Sequence, residues 1–301
     1  MFLSFSDDFF IPEIAHYAAE KFDIPIGSSI GDDYFFNDRF SLSPLYHLYR
    51  SSYKRLIRNV FRHSGSAIYI SDKIRDKYNS SFGLDGETVY LNSELRRRPF
   101  VPCAADHPRV CYYGNIGLGR DRSLCELSEA LAKISPGSVV QVYSSQQDRR
   151  AIRAFQRCQS IRFCGSIPYS EISGRIREDD VFLIVEGFRA SDIRDTRYSL
   201  STKAADALAS GSNLFVYGSA ECGVVEYMKQ TGAAAVCTEP SELEAALRRF
   251  LSDQAAQKAR WLRAVEVTKQ NHNLETSTRI FRGVVEKAIK RNGKQNTSSP
   301  L

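Results

Sequence analysis

The stretch "YYGNIGLGRDRSL", residues 112–124, follows strand-forming residues and contains three glycines and two arginines. Glycine lets the backbone approach a ligand closely or adopt positive φ, and arginine adds a fixed positive charge. The stretch therefore suits a turn that holds phosphate, or a tight connection that needs glycine. Its G-x-x-G-x-G spacing differs from the dinucleotide fingerprint G-x-G-x-x-G, and no P-loop G-K-S/T follows. On its own, the stretch leaves both interpretations open.

The residues that surround and follow this turn alternate between strand and helix patterns. Six short apolar strands, the first of them "RVCYYGN", are each followed by a segment with helical periodicity. This alternation predicts a doubly wound parallel sheet over residues 108–254, with ligands bound at the carboxyl ends of its strands. Residues 255–290 resemble two helices, and the polar residues 291–301 a disordered tail.

The residues before this domain show a shorter alternation of the same kind. Residues 1–92 contain helix-like segments that alternate with strands such as "IPIGSSI", "GSAIYIS" and "ETVYLNS". They predict a partial α/β domain with a parallel sheet. Residues 93–107 are rich in arginine and proline and lack periodicity, which is typical of a linker. The predicted fold class is α/β, with two Rossmann-type doubly wound domains of which the first is partial.

Composition restricts the classes of partner. The 301 residues carry a formal net charge of +6, a mild basic excess that suits anionic ligands without selecting one. No nucleic-acid-binding motif is visible, so no nucleic-acid partner is expected. The seven cysteines include no C-x-x-C pair and no metal-ligand spacing, so we expect reduced cysteines and no metal. No apolar run approaches the ~20 residues of a membrane-spanning helix and no signal peptide is visible, which predicts a cytoplasmic protein.

A second stretch, "RYSLSTKAADALASG", residues 197–211, carries polar groups at a predicted helix start. Ser201 or Thr202 can cap a helix that ends at Gly211. Lys203 then lies at the positive end of the helix and Asp206 one turn later. These residues suit a diphosphate and a ribose hydroxyl, but a capped surface helix with solvated side chains explains them equally well.

Together with "IRFCGSIPYSEI", "DDVFLIVEGF" and "GAAAVCTEPSELEAALRRFLSD", these stretches resemble the donor-binding half of retaining GT-B glycosyltransferases. The closest likeness is to the family 4 type of bacterial polysaccharide biosynthesis. It covers residues 108–252 strongly and 10–92 loosely. The resemblance implies that the substrate-binding residues are Gly114, Asn115, Gly117, Gly119, Ser166, Ile167, Ser201, Thr202 and Asp206.

The resemblance also implies how the reaction proceeds. The glycine turn and the helix start hold the donor diphosphate, the loop after "RFCG" holds the base, and Asp206 binds the ribose. Arg120 and Lys203 then stabilise the leaving group electrostatically, without a metal or a cofactor. The donor is expected to be a UDP- or GDP-type nucleotide sugar.

Two departures from the family pattern affect the predicted site. The family often has two acidic residues eight positions apart, but Tyr198 stands eight positions before Asp206, and Glu186 stands twenty before it. The acid that contacts the sugar is therefore open. In addition, the resemblance implies that the chain begins midway through the acceptor-side domain, as a fragment, a truncated reading frame or a subunit completed by another protein. There Asp32 and Asp33 either face the acceptor cleft, with Asp33 as a catalytic residue, or cap a turn, and the turn is favoured.

Residues 50–62 form an amphipathic segment with a basic face. The apolar residues Tyr53, Leu56, Ile57, Val60 and Phe61 share one helical face, and arginines and a lysine occupy much of the remainder. Such a helix can lie on the inner face of an anionic membrane, which suits a lipid-linked acceptor. More often such a stripe packs on its own sheet.

The leading hypothesis is a glycosyltransferase that transfers a hexose from a nucleoside-diphosphate sugar to a polysaccharide or lipid-linked acceptor, with retention. A non-catalytic nucleotide-sugar-binding or scaffold protein derived from a glycosyltransferase is the alternative. An unrelated enzyme built on the same double fold, such as a sugar epimerase, is a third reading, because fold likeness alone does not separate these functions.

Overall fold

The computed structural model describes residues 2–4, 10–104, 106–176 and 181–297. These residues divide into two compact units. One combines the residues up to Leu91 with those from Leu274 onward, and the other is Asn92–Asn273.

The first unit is built on a four-stranded parallel sheet in the order β1-β2-β3-β4. Its elements up to Leu91 are β1 (Phe2–Ser4), α1 (Phe10–Phe22), β2 (Ile26–Ile30), α2 (Pro44–His63), β3 (Ser64–Tyr69), α3 (Asp72–Phe82) and β4 (Glu87–Thr88). The edge strand β1 is absent from the sequence prediction. The predicted strand "ETVYLNS" is limited to the two residues of β4.

Helix α2 buries the apolar stripe that the sequence indicated. The side chains of Tyr53, Ile57, Val60 and Phe61 are buried, and the helix contacts β2, β3 and α1. Ser43 caps its first turn by accepting from the Tyr46 amide (3.4 Å). Residues 50–62 thus pack on their own unit, and only their basic and polar side chains remain at the surface.

The second unit is a six-stranded, fully parallel sheet in the order β10-β9-β8-β5-β6-β7. This is the doubly wound order 3-2-1-4-5-6, with the switch point between its first and fourth strands, β5 and β8. Its strands are β5 (Val110–Tyr113), β6 (Val140–Tyr143), β7 (Ile161–Gly165), β8 (Val181–Val185), β9 (Asn213–Tyr217) and β10 (Ala235–Cys237). All residues of β5, β8 and β9 are buried, as expected for strands covered on both faces.

Helices cover both faces of this sheet. They are α4 (Arg120–Ile134), α5 (Arg149–Arg157), α6 (Tyr169–Arg175), α7 (Ala190–Thr196), α8 (Lys203–Ser210), α9 (Gly223–Thr231), α10 (Leu243–Ser252) and α11 (Gln254–Asn271). Helix α4 packs against α5 and α10, while α11 packs against α8 and α9. The six predicted strand–helix units are confirmed. Helix α7 lies in "GFRASDIRDTR", where the sequence indicated only an insertion.

The last helix, α12 (Leu274–Thr297), belongs to the first unit. It packs on β2, β3 and β4, and the Lys287 ammonium lies 3.2 Å from the Glu87 carboxylate. Residues 291–297, predicted as part of a disordered tail, continue this helix, and residues 298–301 lie outside the described part. Among the described residues, no helix has both the length and the hydropathy needed to cross a bilayer.

Residues 93–107 contain no helix or strand where they are described, but they are not an independent linker. They group with the second unit. The Arg97 guanidinium donates to the carbonyl oxygen of Leu208 (2.6 Å) and to the hydroxyl of Thr268 (2.7 Å), which ties this segment to α8 and α11. Arg97 therefore serves packing within the second unit.

Candidate functional site

The carboxyl ends of the strands beside the switch point carry a small pocket. We call it the strand-end pocket. Its volume is about 250 Å³, and it is lined by Tyr113, Gly114, Tyr143, Ser144, Ser145, Ser166, Ile167, Tyr169, Ile172, Phe182, Lys203 and Asp206. Five of the predicted site residues, Gly114, Ser166, Ile167, Lys203 and Asp206, thus meet in one place.

Lys203 is the cationic group of this pocket. It begins α8, and its ammonium donates to the Tyr112 hydroxyl (2.7 Å) and lies 4.6 Å from the centre of the Tyr112 ring. Burial lowers the pKa of Lys203 to about 7, and the charge of Arg120 adds to this effect while Glu186 opposes it. The amine is therefore only partly protonated near neutral pH, and a nearby anion would favour its protonated form.

Tyr112 links Lys203 to the glycine turn. Its ring is fully buried, and its hydroxyl donates to the Asn115 carbonyl oxygen (2.5 Å) while it accepts from Lys203. Sequence reasoning missed this tyrosine as a site residue. The available signal was its place in β5, two residues before Gly114.

Close packing explains two of the three glycines in the turn. A Cβ at Gly114, where φ is +139°, would stand 2.6 Å from Cδ of Lys203, so the lysine side chain passes directly over this residue. A Cβ at Gly119, where φ is +78°, would stand 2.2 Å from Oδ2 of Asp192. Both positions require glycine for the conformation and the close contact.

The backbone amides of the turn are partly occupied within the protein. The Gly117 amide donates to Oδ1 of Asn115 (2.6 Å) and to Oε1 of Gln146 (3.0 Å), and Oε1 also accepts from the Ile116 amide (3.0 Å). The amides expected to hold phosphate therefore already have side-chain acceptors. Gln146 is a further residue that contacts this turn, and no sequence motif singled it out.

Arg120 and Glu186 form a buried ion pair at the switch point. Nε and Nη2 of Arg120 donate to the two carboxylate oxygens of Glu186 (2.9 and 3.0 Å), and the side chains are 9% and 1% exposed. Burial acts to lower the pKa of Arg120, but the Glu186 carboxylate outweighs it, so the net pKa lies above the ordinary value. The pair is neutral overall, so among the residues that line the pocket the Lys203 amine is a cation whose charge changes near neutral pH.

Asp206 forms part of the pocket wall. Its Oδ1 accepts from the Ser93 hydroxyl (2.6 Å) and the Tyr169 hydroxyl (2.8 Å). These contacts hold the carboxylate beside the turn of Ser166 and Ile167. Burial raises the pKa of Tyr169, and the Asp206 carboxylate adds to this, so Tyr169 stays a hydrogen-bond donor.

The remaining predicted residues lie elsewhere. Ser201 and Thr202 do not line the pocket, and Thr202 precedes α8 without making a side-chain capping bond, which corrects the expected cap. In the first unit, Oδ1 of Asp33 accepts from the Phe36 amide (2.9 Å) and the Tyr78 hydroxyl (2.8 Å). Asp33 therefore caps a turn, and the catalytic reading of this residue is not supported. None of the seven cysteines forms a disulfide, and no cluster of three or more His, Cys, Asp or Glu forms a metal site among the described residues.

Gly117 and Gly119 border a second, larger cavity of about 850 Å³. We call it the arginine cleft. Its lining residues are Ile116, Gly117, Leu118, Gly119, Asp121, Arg122, Asp148, Arg149, Arg150, Arg153, Ala154, Arg157 and Arg189. Six arginines face two aspartates there.

Comparison of this architecture with solved structures identifies the fold. OtsA matches with a TM-score of 0.65 at 11% identity, over 94% of this chain and 72% of that one. S. aureus TarM, solved with fondaparinux, α-GlcNAc-glycerol and UDP, matches with a TM-score of 0.59 at 11% identity. The pneumococcal O-GlcNAc transferase GtfA, solved with UDP and GlcNAc, matches with a TM-score of 0.60 at 12% identity. The chain has a GT-B-like fold.

This result confirms the predicted fold class and the likeness to GT-B glycosyltransferases at the level of structure. The alignments cover 86% of this chain and 50% of TarM, and 95% of this chain and 56% of GtfA. The chain thus spans about half the length of these two proteins. No protein-family model and no curated protein matches the sequence.

Proposed function

We propose that this chain is a nucleotide-sugar-dependent glycosyltransferase that uses a UDP- or GDP-type donor. The observation that carries the proposal is the convergence of Lys203, Asp206 and the Ser166–Ile167 turn on one pocket at the switch point of a doubly wound sheet. Such crevices are where open α/β sheets bind their ligands. The likeness to TarM and GtfA, both solved with UDP, supports a nucleoside diphosphate as the ligand.

In this proposal, the strand-end pocket holds the nucleoside. Its volume of about 250 Å³ is slightly below the range typical of ligand pockets, so it suits a nucleoside better than a complete nucleotide sugar. The Ser166–Ile167 turn faces the base, and Asp206 accepts a hydrogen bond from a ribose hydroxyl. The diphosphate then extends from the pocket along Gly114, where it contacts the Lys203 ammonium.

Lys203 supplies the main catalytic charge. When the bond between the sugar C1 and the diphosphate oxygen breaks, its electron pair leaves with the diphosphate, and the negative charge grows beside Lys203. Because its pKa is about 7 in the empty pocket, binding of the diphosphate draws a proton onto the amine. Arg120 acts on this charge only through the field of its pair with Glu186.

The acceptor, in our proposal, is a polysaccharide precursor or a lipid-linked saccharide, and transfer proceeds with retention of configuration. We infer that the reaction takes place in the cytoplasm, since the free cysteines suit a reducing compartment. Contact with the inner face of a membrane through the basic side chains of residues 50–62 stays a prediction. Liposome sedimentation tests it: binding that does not depend on anionic lipid counts against it.

Calorimetry with UDP, GDP and their sugar conjugates tests the proposed function. We expect one of the two nucleotides to bind. Lys203→Ala is expected to weaken that binding at least tenfold, because the diphosphate loses its cation. Lys229→Ala is the matched control, since Lys229 is an exposed lysine on α9 outside the pocket. If neither nucleotide binds the unaltered protein, the proposal fails.

A non-catalytic nucleotide-sugar-binding protein is the second candidate. The observation in its favour is the buried Arg120–Glu186 ion pair. Glu186 is the acidic residue that follows β8, and because it pairs with Arg120 and is only 1% exposed, it is not available to contact a sugar. Such a protein binds the donor but neither hydrolyses nor transfers the sugar. Measuring release of nucleoside diphosphate with and without saccharide acceptors separates the two functions, and turnover excludes the second.

A further inference from the structure

We propose that the arginine cleft binds a saccharide chain that carries several carboxylate or phosphate groups, as an acidic segment of the acceptor. Only the role of this chain as an acceptor rests on the proposed function, because binding in the cleft follows from the cleft's own charge and shape. Its volume of about 850 Å³ far exceeds that of the strand-end pocket. It is large enough for several sugar residues.

The cleft holds a strong excess of positive charge that the protein does not neutralise. Five of its arginines form no ion pair with a described carboxylate; they are Arg149, Arg150, Arg153, Arg157 and Arg189. Arg122 alone is paired, with Asp192 (2.6 Å). Asp148 caps α5 by accepting from the Arg150 and Ala151 amides, so its carboxylate is already engaged by the helix start.

Helix α5 concentrates this charge in a line. Arg149, Arg153 and Arg157 stand four residues apart on one face and span about 12 Å along the axis. Like charges at this spacing destabilise a helix, so the arrangement has a cost that an anionic ligand would offset. A single phosphate cannot reach along 12 Å, whereas successive anionic groups on an extended chain can.

The side chains in the cleft favour a saccharide over other polyanions. Its lining contains six arginines but no lysine and no aromatic residue. The planar guanidinium matches carboxylate and phosphate groups in bidentate fashion. Single-stranded nucleic acid relies on aromatic side chains for base stacking, and membrane surfaces rely on exposed apolar side chains. The described lining of the cleft contains no aromatic side chain, and Leu118 is the one exposed large apolar side chain in it.

The position of the cleft suits an acceptor. Residues 116–119 form part of its wall, and they directly follow Gly114 and Asn115, the turn over which Lys203 passes. An anionic chain held by α5 is therefore brought close to the end of the strand-end pocket, where the diphosphate is proposed to lie.

The test is a double variant, Arg153→Ala with Arg157→Ala, compared with Arg248→Ala with Arg249→Ala. The control removes the same two charges from exposed positions on α10, outside both cavities. Binding is measured by calorimetry at two salt concentrations with four probes: a polygalacturonate oligomer, a neutral dextrin, a single-stranded oligonucleotide and phosphatidylserine vesicles. UDP and GDP binding is measured alongside.

We expect the polygalacturonate oligomer to bind the unaltered protein in a salt-dependent manner, with at least tenfold weaker binding in the cleft variant and unchanged binding in the control. The dextrin should not bind. Equal losses in both variants, tighter binding of the oligonucleotide, or binding of vesicles alone would overturn the proposal. Loss of nucleotide binding in the cleft variant would also overturn it, because the cleft would then belong to the donor site. If the oligomer binds but neither nucleotide does, the proposed function fails and the cleft stands.

Discussion

Binding of a nucleoside diphosphate should be coupled to protonation of Lys203. The pKa of this amine is about 7 in the empty pocket instead of the ordinary 10.5, mainly because the side chain is desolvated. A bound diphosphate favours the ammonium form and raises the pKa again. Above pH 7 the diphosphate itself is fully ionised, since the second pKa of a phosphate is about 6. Only the lysine then takes up a proton, so affinity falls as pH rises.

The size of the effect follows from linkage. At pH 8 only about one tenth of the empty protein carries the charged lysine, so binding takes up about 0.9 proton. From pH 7 to pH 9 the dissociation constant rises about fiftyfold if the bound-state pKa is about 10 or higher. Lys203→Met keeps much of the aliphatic chain but cannot take up a proton, so its weaker binding should change less than about threefold over the same range.

Calorimetry in two buffers of different ionisation enthalpy measures the proton uptake directly, and a series from pH 7 to pH 9 measures the affinity. The nucleotide is whichever of UDP and GDP binds. An affinity of the unaltered protein that does not change with pH would refute the reasoning. The same pH dependence in Lys203→Met would also refute it, because the titrating group would then lie elsewhere.

Three further substitutions give distinct expectations. Arg120→Met should destabilise the fold by about 3 to 5 kcal/mol, because Glu186 is left buried without its partner, and urea denaturation measures the loss. Gly119→Ala should lower the free energy of unfolding by about 3 kcal/mol, since the position combines a left-handed backbone with a close contact to Asp192. Gly137 has a similar positive φ but open space around it, so Gly137→Ala should lower the free energy of unfolding by roughly 1 to 2 kcal/mol. Asp206→Ala should weaken binding of a ribonucleoside diphosphate about tenfold, and should weaken binding of its 2′,3′-dideoxy analogue much less.

Each of these expectations has a result that contradicts it. Combining Arg120→Met with Glu186→Leu should recover much of the lost stability, and an equally unstable double variant would show that the loss did not arise from the unpaired carboxylate. Equal losses of unfolding free energy in Gly119→Ala and Gly137→Ala would mean that the close contact between position 119 and Asp192 does not destabilise the fold. Equal weakening of both analogues by Asp206→Ala would remove the ribose contact.

The strand–helix alternation could be predicted from the sequence because each element has its own local pattern. The apolar runs of β5, β8 and β9 and the helical periodicity of α4 and α10 are set by neighbouring residues. The prediction failed where an element depends on distant partners. Strand β1 pairs at the sheet edge with β2, and β4 keeps only two residues, because strand length is decided by the neighbouring strand.

Local sequence patterns were enough to predict that this chain forms α/β units and that Gly114, Lys203 and Asp206 lie near the ends of parallel strands. These conclusions depend on local periodicity and on where strands and helices begin and end. Tertiary structure alone decided how the charges are distributed. It paired Arg120 with Glu186 across 66 positions of sequence, which neutralised one predicted cation, and it buried Lys203 enough to lower its pKa to about 7. Charge interactions depend on distance in space and on burial, and neither quantity can be read from the order of residues along the chain.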